Sequence, residues 1–287
     1  MKTILVLTDF SDNAAHAAQS ALNLAVMIHA DVLLFNAYQT IPVSNYYIGA
    51  PWGGESPSYW EDHSESNIQT FQKHLEPLIN KVHPEQFKPA ISTLCREGNL
   101  GELVNEIVQQ KNIGLIVMGS RSDNAFEHIF SGSDTYAVIE HASCPVLILR
   151  EKMELTQLGK IVFASNFSPE DIKSLQYLVK LGELFNTKLE LVHIMPSESL
   201  GTATNEGEVE FMKQVAALNY PHITFKNVKG KEVVERLNHL CEEEQANALA
   251  IVHHKHSFFI RMLKQSLAHQ ALDKQKIPLL VFSAKMD

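Results

Sequence analysis

Short aliphatic runs alternate along the chain with longer stretches in which apolar positions recur every three or four residues. Thr3–Leu7, Asp31–Ala37, Ile91–Cys95, Ile113–Met118 and Pro145–Leu149 are near-continuous apolar runs. Such runs suit strands buried on both faces of a parallel sheet. Residues 12–28 bring Ala17, Ala18, Ala21, Leu22, Ala25 and Ile28 onto one helical face, with Ser11 as the N-cap. Residues 64–81, 99–110 and 134–141 read as helices in the same way. The pattern then restarts, with strands expected near 160–165, 188–194, 222–228, 248–253 and 278–282.

The restart is a repeat. ILVLTDFS at residues 4–11 is echoed by IVFASNFS at 161–168, and the offset of 157 runs without a gap to Tyr38 and Met195. Further on, SCPVLIL (143–149) matches KIPLLVF (276–282) at an offset of 133. A unit of this length is a duplicated domain rather than a solenoid repeat, whose period is ~20–50 residues. Domains are expected at 1–150 and 158–287, joined by a short polar segment. Strand–helix alternation with right-handed crossovers makes each an α/β, doubly wound, parallel-sheet domain.

Composition narrows the function. The chain has 287 residues and a net charge of -9, which argues against a general nucleic-acid binder, since that needs a basic face. No apolar run approaches the ~20 residues that span a bilayer, so a soluble, cytoplasmic protein without a membrane span is expected. Cys95, Cys144 and Cys241 are widely spaced and form no disulfide framework; they read as small buried hydrophobes.

In open α/β sheets, ligands bind beyond the carboxyl ends of the strands, where the strand order reverses. Thr8 and Asp9 follow the first strand. Met118 and Gly119 end the fourth, and Gly132-Ser133 opens the next helix. Glycine there lets a phosphate approach the backbone, and the helix start favours the anion. The same residues would equally make a tight turn and a cap.

These segments, with LIVMGSRS and GSDTYAVIEHASCPVLIL (115–122 and 132–149), resemble the universal stress protein family over the whole chain. The resemblance implies two tandem doubly wound five-stranded parallel-sheet domains of strand order 3-2-1-4-5. It also implies that they form a pseudo-dimer, pairing Pro145–Leu149 with Pro278–Phe282. Nucleotide-binding members carry Gly, two residues, Gly, nine residues, Gly, then Ser or Thr; the matching positions are Gly119, Ser122, Gly132 and Ser133. By resemblance, Asp9 would accept a hydrogen bond from the adenine amino group of ATP or AMP. Thr8, Asn36 and Ala37 would line base and ribose, and Met118 would pack on the nucleoside. Gly119, Gly132 and Ser133 would hold ribose and phosphates. Ser122 stands at the middle glycine, and Asp134 adds a carboxylate at the helix start. Asp9 has a second reading, as a carboxylate that only orders the loop into the first helix.

The second unit has lost the motif: Asn166 stands where Asp9 does, and Gln265 where Gly132 does. At most one adenine nucleotide per chain is therefore expected. His253, His254 and His256 cluster after its fourth strand, and with His193 they could hold Zn or simply be solvated. The segment 39–63 carries Tyr46, Tyr47, Trp52, Tyr59 and Trp60, and reads as a long loop that forms a lid or a partner patch.

Two functions from different classes follow. One is a stress-response regulatory protein that binds an adenine nucleotide as a signal. The other is a nucleotide-independent interaction or chaperone-like module whose crevices hold another small molecule, lipid or metal. No GxxxxGK[ST] or GxSxG element is present, and no residue stands out as catalytic. Slow ATP hydrolysis, protein partners and a homo-oligomer are left open by the sequence.

Overall fold

A computed structural model of the chain describes residues 2–40, 57–119, 133–149, 158–195, 206–230, 233–253 and 277–283. The first half contributes strands β1 (Thr3–Leu7), β2 (Asp31–Tyr38), β3 (Ile91–Glu97), β4 (Ile113–Gly119) and β5 (Val146–Leu149). Its helices are α1 (Asp12–Ile28), α2 (Pro57–Asn80), α3 (Leu100–Gln110) and α4 (Ser133–His141). The second half contributes β6 (Lys160–Ala164), β7 (Lys188–Met195), β8 (Ile223–Lys229), β9 (Ala248–His253) and β10 (Leu279–Ser283). Between these strands lie α5 (Pro169–Phe185), α6 (Glu206–Ala217) and α7 (Val233–Glu243).

The ten strands form one sheet, in the order β3-β2-β1-β4-β5-β10-β9-β6-β7-β8. Each half therefore has the order 3-2-1-4-5. All pairings within a half are parallel. The halves meet at β5 and β10, which run antiparallel with Leu280 opposite Leu147. This pseudo-twofold seam pairs two strands that would otherwise be exposed edges. It is the pairing expected from the family resemblance.

The apolar runs of the inner strands are buried on both faces, as read from the sequence, whereas β3 and β8, at the two edges of the sheet, hold no fully buried residue. Ile4 and Val6 point into a core with α1, α2, α5 and α6, and Leu5 and Leu7 into one with α3, α4 and α7. The 157-residue offset is retained in three dimensions, since β1, α1 and β2 map onto β6, α5 and β7. It extends to backbone conformation: Phe10 and Phe167, at equivalent positions, both have positive φ, 66° and 65°. That conformation is rare for a bulky residue, yet it recurs at the β1–α1 and β6–α5 corners.

One boundary differs from expectation. Helix α2 starts at Pro57, so Tyr59 and Trp60 are helical rather than part of the long loop. Its first two turns are rich in exposed polar residues, with no apolar spacing to betray a helix. Tyr46, Tyr47 and Trp52 lie outside the described residues.

Candidate functional site

Three adjacent strands, β2, β1 and β4, end together in the first half. Leu7 pairs with both Phe35 and Met118, so the residues that follow converge on one crevice. Thr8, Asp9, Asn36, Ala37, Met118 and Gly119 are all brought there. Ser133 opens α4, while Ser122 and Gly132 lie outside the described residues.

The Thr8–Ser11 corner is held by its own side chains. Thr8 Oγ1 accepts from the Phe10 amide at 3.0 Å. Asp9 Oδ1 accepts from the Ser11 amide (3.1 Å) and hydroxyl (2.6 Å). The Ser11 hydroxyl in turn accepts from the Ala14 amide, capping α1. Asp9 is exposed, and its Oδ1 orders the loop into α1.

The remaining positions are more enclosed. Met118 is buried in the core, and Asn36 is buried with its amide engaged at both ends. Asn36 Nδ2 donates to the Thr8 carbonyl (2.7 Å), and Asn36 Oδ1 accepts from the Ser64 hydroxyl (2.7 Å). Gly119 has a packing reason of its own, because a Cβ there would lie 2.6 Å from the Asn13 carbonyl oxygen at the start of α1. Sequence reasoning missed Ser64. Its signal was a lone hydroxyl on the apolar stripe Ile68, Phe71, Leu75 of α2.

The corner that follows β6 is packed with aromatic rings, much as Phe10 packs edge-on against Phe71 after β1. The His193 ring stacks on Phe167 with centroids 4.3 Å apart, and Phe211 and Phe225 close around Phe167. His193 Nδ1 lies 2.8 Å from the Ser165 carbonyl and donates to it. The Ser165 hydroxyl donates to Asp171 Oδ2 (2.6 Å) and accepts from the Phe167 amide (3.0 Å). Although Ser165, His193 and Asp171 are neighbours, the imidazole faces the serine carbonyl and not its hydroxyl, so they form no nucleophile–base relay. Ala164 pairs with Ile251 as Leu7 pairs with Met118, so buried Val252 occupies the place of Gly119.

The zinc expectation gains no support. Among the described residues no group of three or more His, Cys, Asp or Glu side chains is placed to hold a metal ion. His253 is buried against Tyr136 of α4, with ring centroids 6.1 Å apart. His193 is committed to Ser165 and Phe167, and His254 and His256 lie outside the described residues.

Away from the crevices, the second half holds a charge network. The Glu190 carboxylate, 2% exposed, lies 2.9 Å from Lys160 Nζ and 2.5 Å from Lys226 Nζ. Glu244 pairs with the same two lysines. Hydrogen bonds from Lys160 and Lys226 pull the Glu244 carboxyl down to about 2. Burial works against the charge on Lys160, but its bonds to Glu244 and Glu190 outweigh this and raise its pKa.

Comparison with known proteins agrees with this architecture. The profile of the Universal stress protein family matches residues 1–150 and again 158–283. The chain belongs to the universal stress protein family. A universal stress protein of Methanocaldococcus jannaschii is 31% identical over 150 residues, covering 52% of this chain and 82% of its own. One from Thermus aquaticus is 31% identical over 153 residues, covering 52% of this chain and 98% of its own. The crystal structure of a universal stress protein from Archaeoglobus fulgidus superposes with a TM-score of 0.71, covering 98% of this chain and 96% of that one. Its identity is 16%, so it speaks for the fold. Universal stress protein membership supports a stress-response role. No helix among the described residues is long and apolar enough to cross a membrane.

Proposed function

We propose that this protein is a stress-response regulator that binds one adenine nucleotide, ATP or AMP, in the crevice of its first half. Binding acts as a signal rather than as the start of turnover. One observation carries the reading: Asp9 stands exposed, as a carboxylate, at the strand-order reversal between β1 and β4, where the second half has the uncharged Asn166. A carboxylate at such a switch point suits an exocyclic amino group. The start of α4 at Ser133 suits a phosphate through the helix dipole.

Calorimetry with ATP and AMP tests the reading. The expected stoichiometry is one per chain. Asp9→Ala should weaken binding by ~1–3 kcal/mol, the cost of leaving a buried amino group without a partner. Gly132→Leu should abolish it, and Ser122→Gly should tighten it. Two sites per chain, or no heat at millimolar nucleotide, would overturn the reading; the latter favours a nucleotide-independent interaction module.

A further inference from the structure

The end of β1 is tied to helix α2 through two buried side chains. The Thr8 carbonyl can only accept, so the Asn36 amide must turn its NH₂ toward it. That leaves Asn36 Oδ1 for the Ser64 hydroxyl. Asn36 and Ser64 are 8% and 4% exposed, so neither can exchange its partner for water at no cost. Cys95 on β3 is the cross-strand neighbour of Asn36. Beyond Ser64 on α2 lie Tyr59 and His63, whose rings stack 5.9 Å apart, with Trp60 edge-on to Tyr59. In the second half the equivalent donor, His193, is held by ring stacking on Phe167.

We propose that Ser64 is a positioning residue of the first crevice: through Asn36 it fixes the Thr8 carbonyl, so that the Thr8–Ser11 corner and α2 move as one unit. A ligand that draws on Asp9 pulls on this corner, and the displacement reaches the aromatic first turns of α2. This last consequence rests on the nucleotide reading; the mechanical coupling does not.

Hydrogen exchange on the full chain separates the two. Without nucleotide, Ser64→Ala should speed exchange in the peptide spanning Thr8–Ser11 about fivefold, the effect of one lost hydrogen bond. Ser64→Thr, which keeps the hydroxyl, should restore it. Asn36→Asp sets a carboxylate against the Thr8 carbonyl and should loosen the same peptide. No change there in Ser64→Ala, or a change spread evenly over the whole chain, overturns the proposal. Titration with AMP then asks the second question. If wild type binds, Ser64→Ala should bind about fivefold more weakly, and AMP should slow exchange in residues 57–64 of wild type only. Equal affinity in the two proteins overturns the coupling to ligand. If wild type binds no nucleotide, the nucleotide reading fails, while the exchange result still judges Ser64.

Discussion

The two halves share a backbone and differ in what fills it. Leu33 of the first half corresponds to Glu190 of the second, and Leu94 to Lys226. Thr3 corresponds to Lys160, and Lys111 to Glu244. Two of the four first-half positions are leucines, and the second half holds two lysines and two carboxylates across all four. At the crevices the contrast runs the other way. The first keeps a glycine, a carboxylate and a hydrogen-bonded amide; the second has Val252, Asn166 and the ring-stacked His193 in their places. A duplicated fold thus tolerates exchange of apolar for ionic packing, provided that charges are matched. Specialisation lies in a handful of side chains, not in the topology.

The sharpest way to break this comparison is to move one first-half residue into the ionic cluster. Lys160→Thr leaves one oxygen of the buried Glu190 carboxylate without its cation, which should cost ~3 kcal/mol. Glu190→Leu removes the buried charge itself, while the two lysines keep Glu244 and partial access to water. It should change stability by only ~1 kcal/mol. Urea unfolding of both single variants and the double variant gives the coupling. A Glu190→Leu loss larger than that of Lys160→Thr would show that the cluster is held by attraction more than by avoidance of a lone buried charge.

Gly119 comes next. Its absent Cβ would meet backbone, which cannot swing aside as a side-chain tip can. Gly119→Ala should therefore cost ~1–3 kcal/mol even without ligand. If thermal and urea unfolding are unchanged while nucleotide affinity falls, the glycine serves the ligand alone and the packing account fails.

Much of the fold was legible because strand and helix periods survive duplication. The 157-residue echo foretold that β1, α1 and β2 would be matched by β6, α5 and β7. The β5–β10 seam followed from the SCPVLIL and KIPLLVF echo together with the family resemblance. The crevice was legible in part. Asp9 and Gly119 were found from strand ends, but Asn36 turned out to spend its amide on Thr8 and Ser64. Glu190 was hidden inside KLELVHIM, which reads as an ordinary strand. Its partners, Lys160 and Lys226, come from two other strands, and no local period links them. Val252 was hidden too, because only the pairing of β6 with β9 shows that it, and not a histidine, replaces Gly119.

The smallest effect separates the halves by pH. Glu244 titrates at about 2 in the folded chain, against an ordinary carboxyl value of about 4.5, because Lys160 and Lys226 bond its charged form. A depressed folded value stabilises the fold above the unfolded value. That contribution fades as pH falls from about 4.5 toward about 2. Glu244 is 23% exposed, so solvent screens it and the contribution is about 1 kcal/mol or less. Glu244→Gln should accordingly be less stable than wild type at pH 7, and the two should converge as the pH falls through that window. Its counterpart Lys111 is exposed and has no such carboxylate to protonate, so Lys111→Gln should show no convergence of this kind. Parallel wild-type and Glu244→Gln curves down to pH 2 would show that the ion pairs do not lower the carboxyl's affinity for protons.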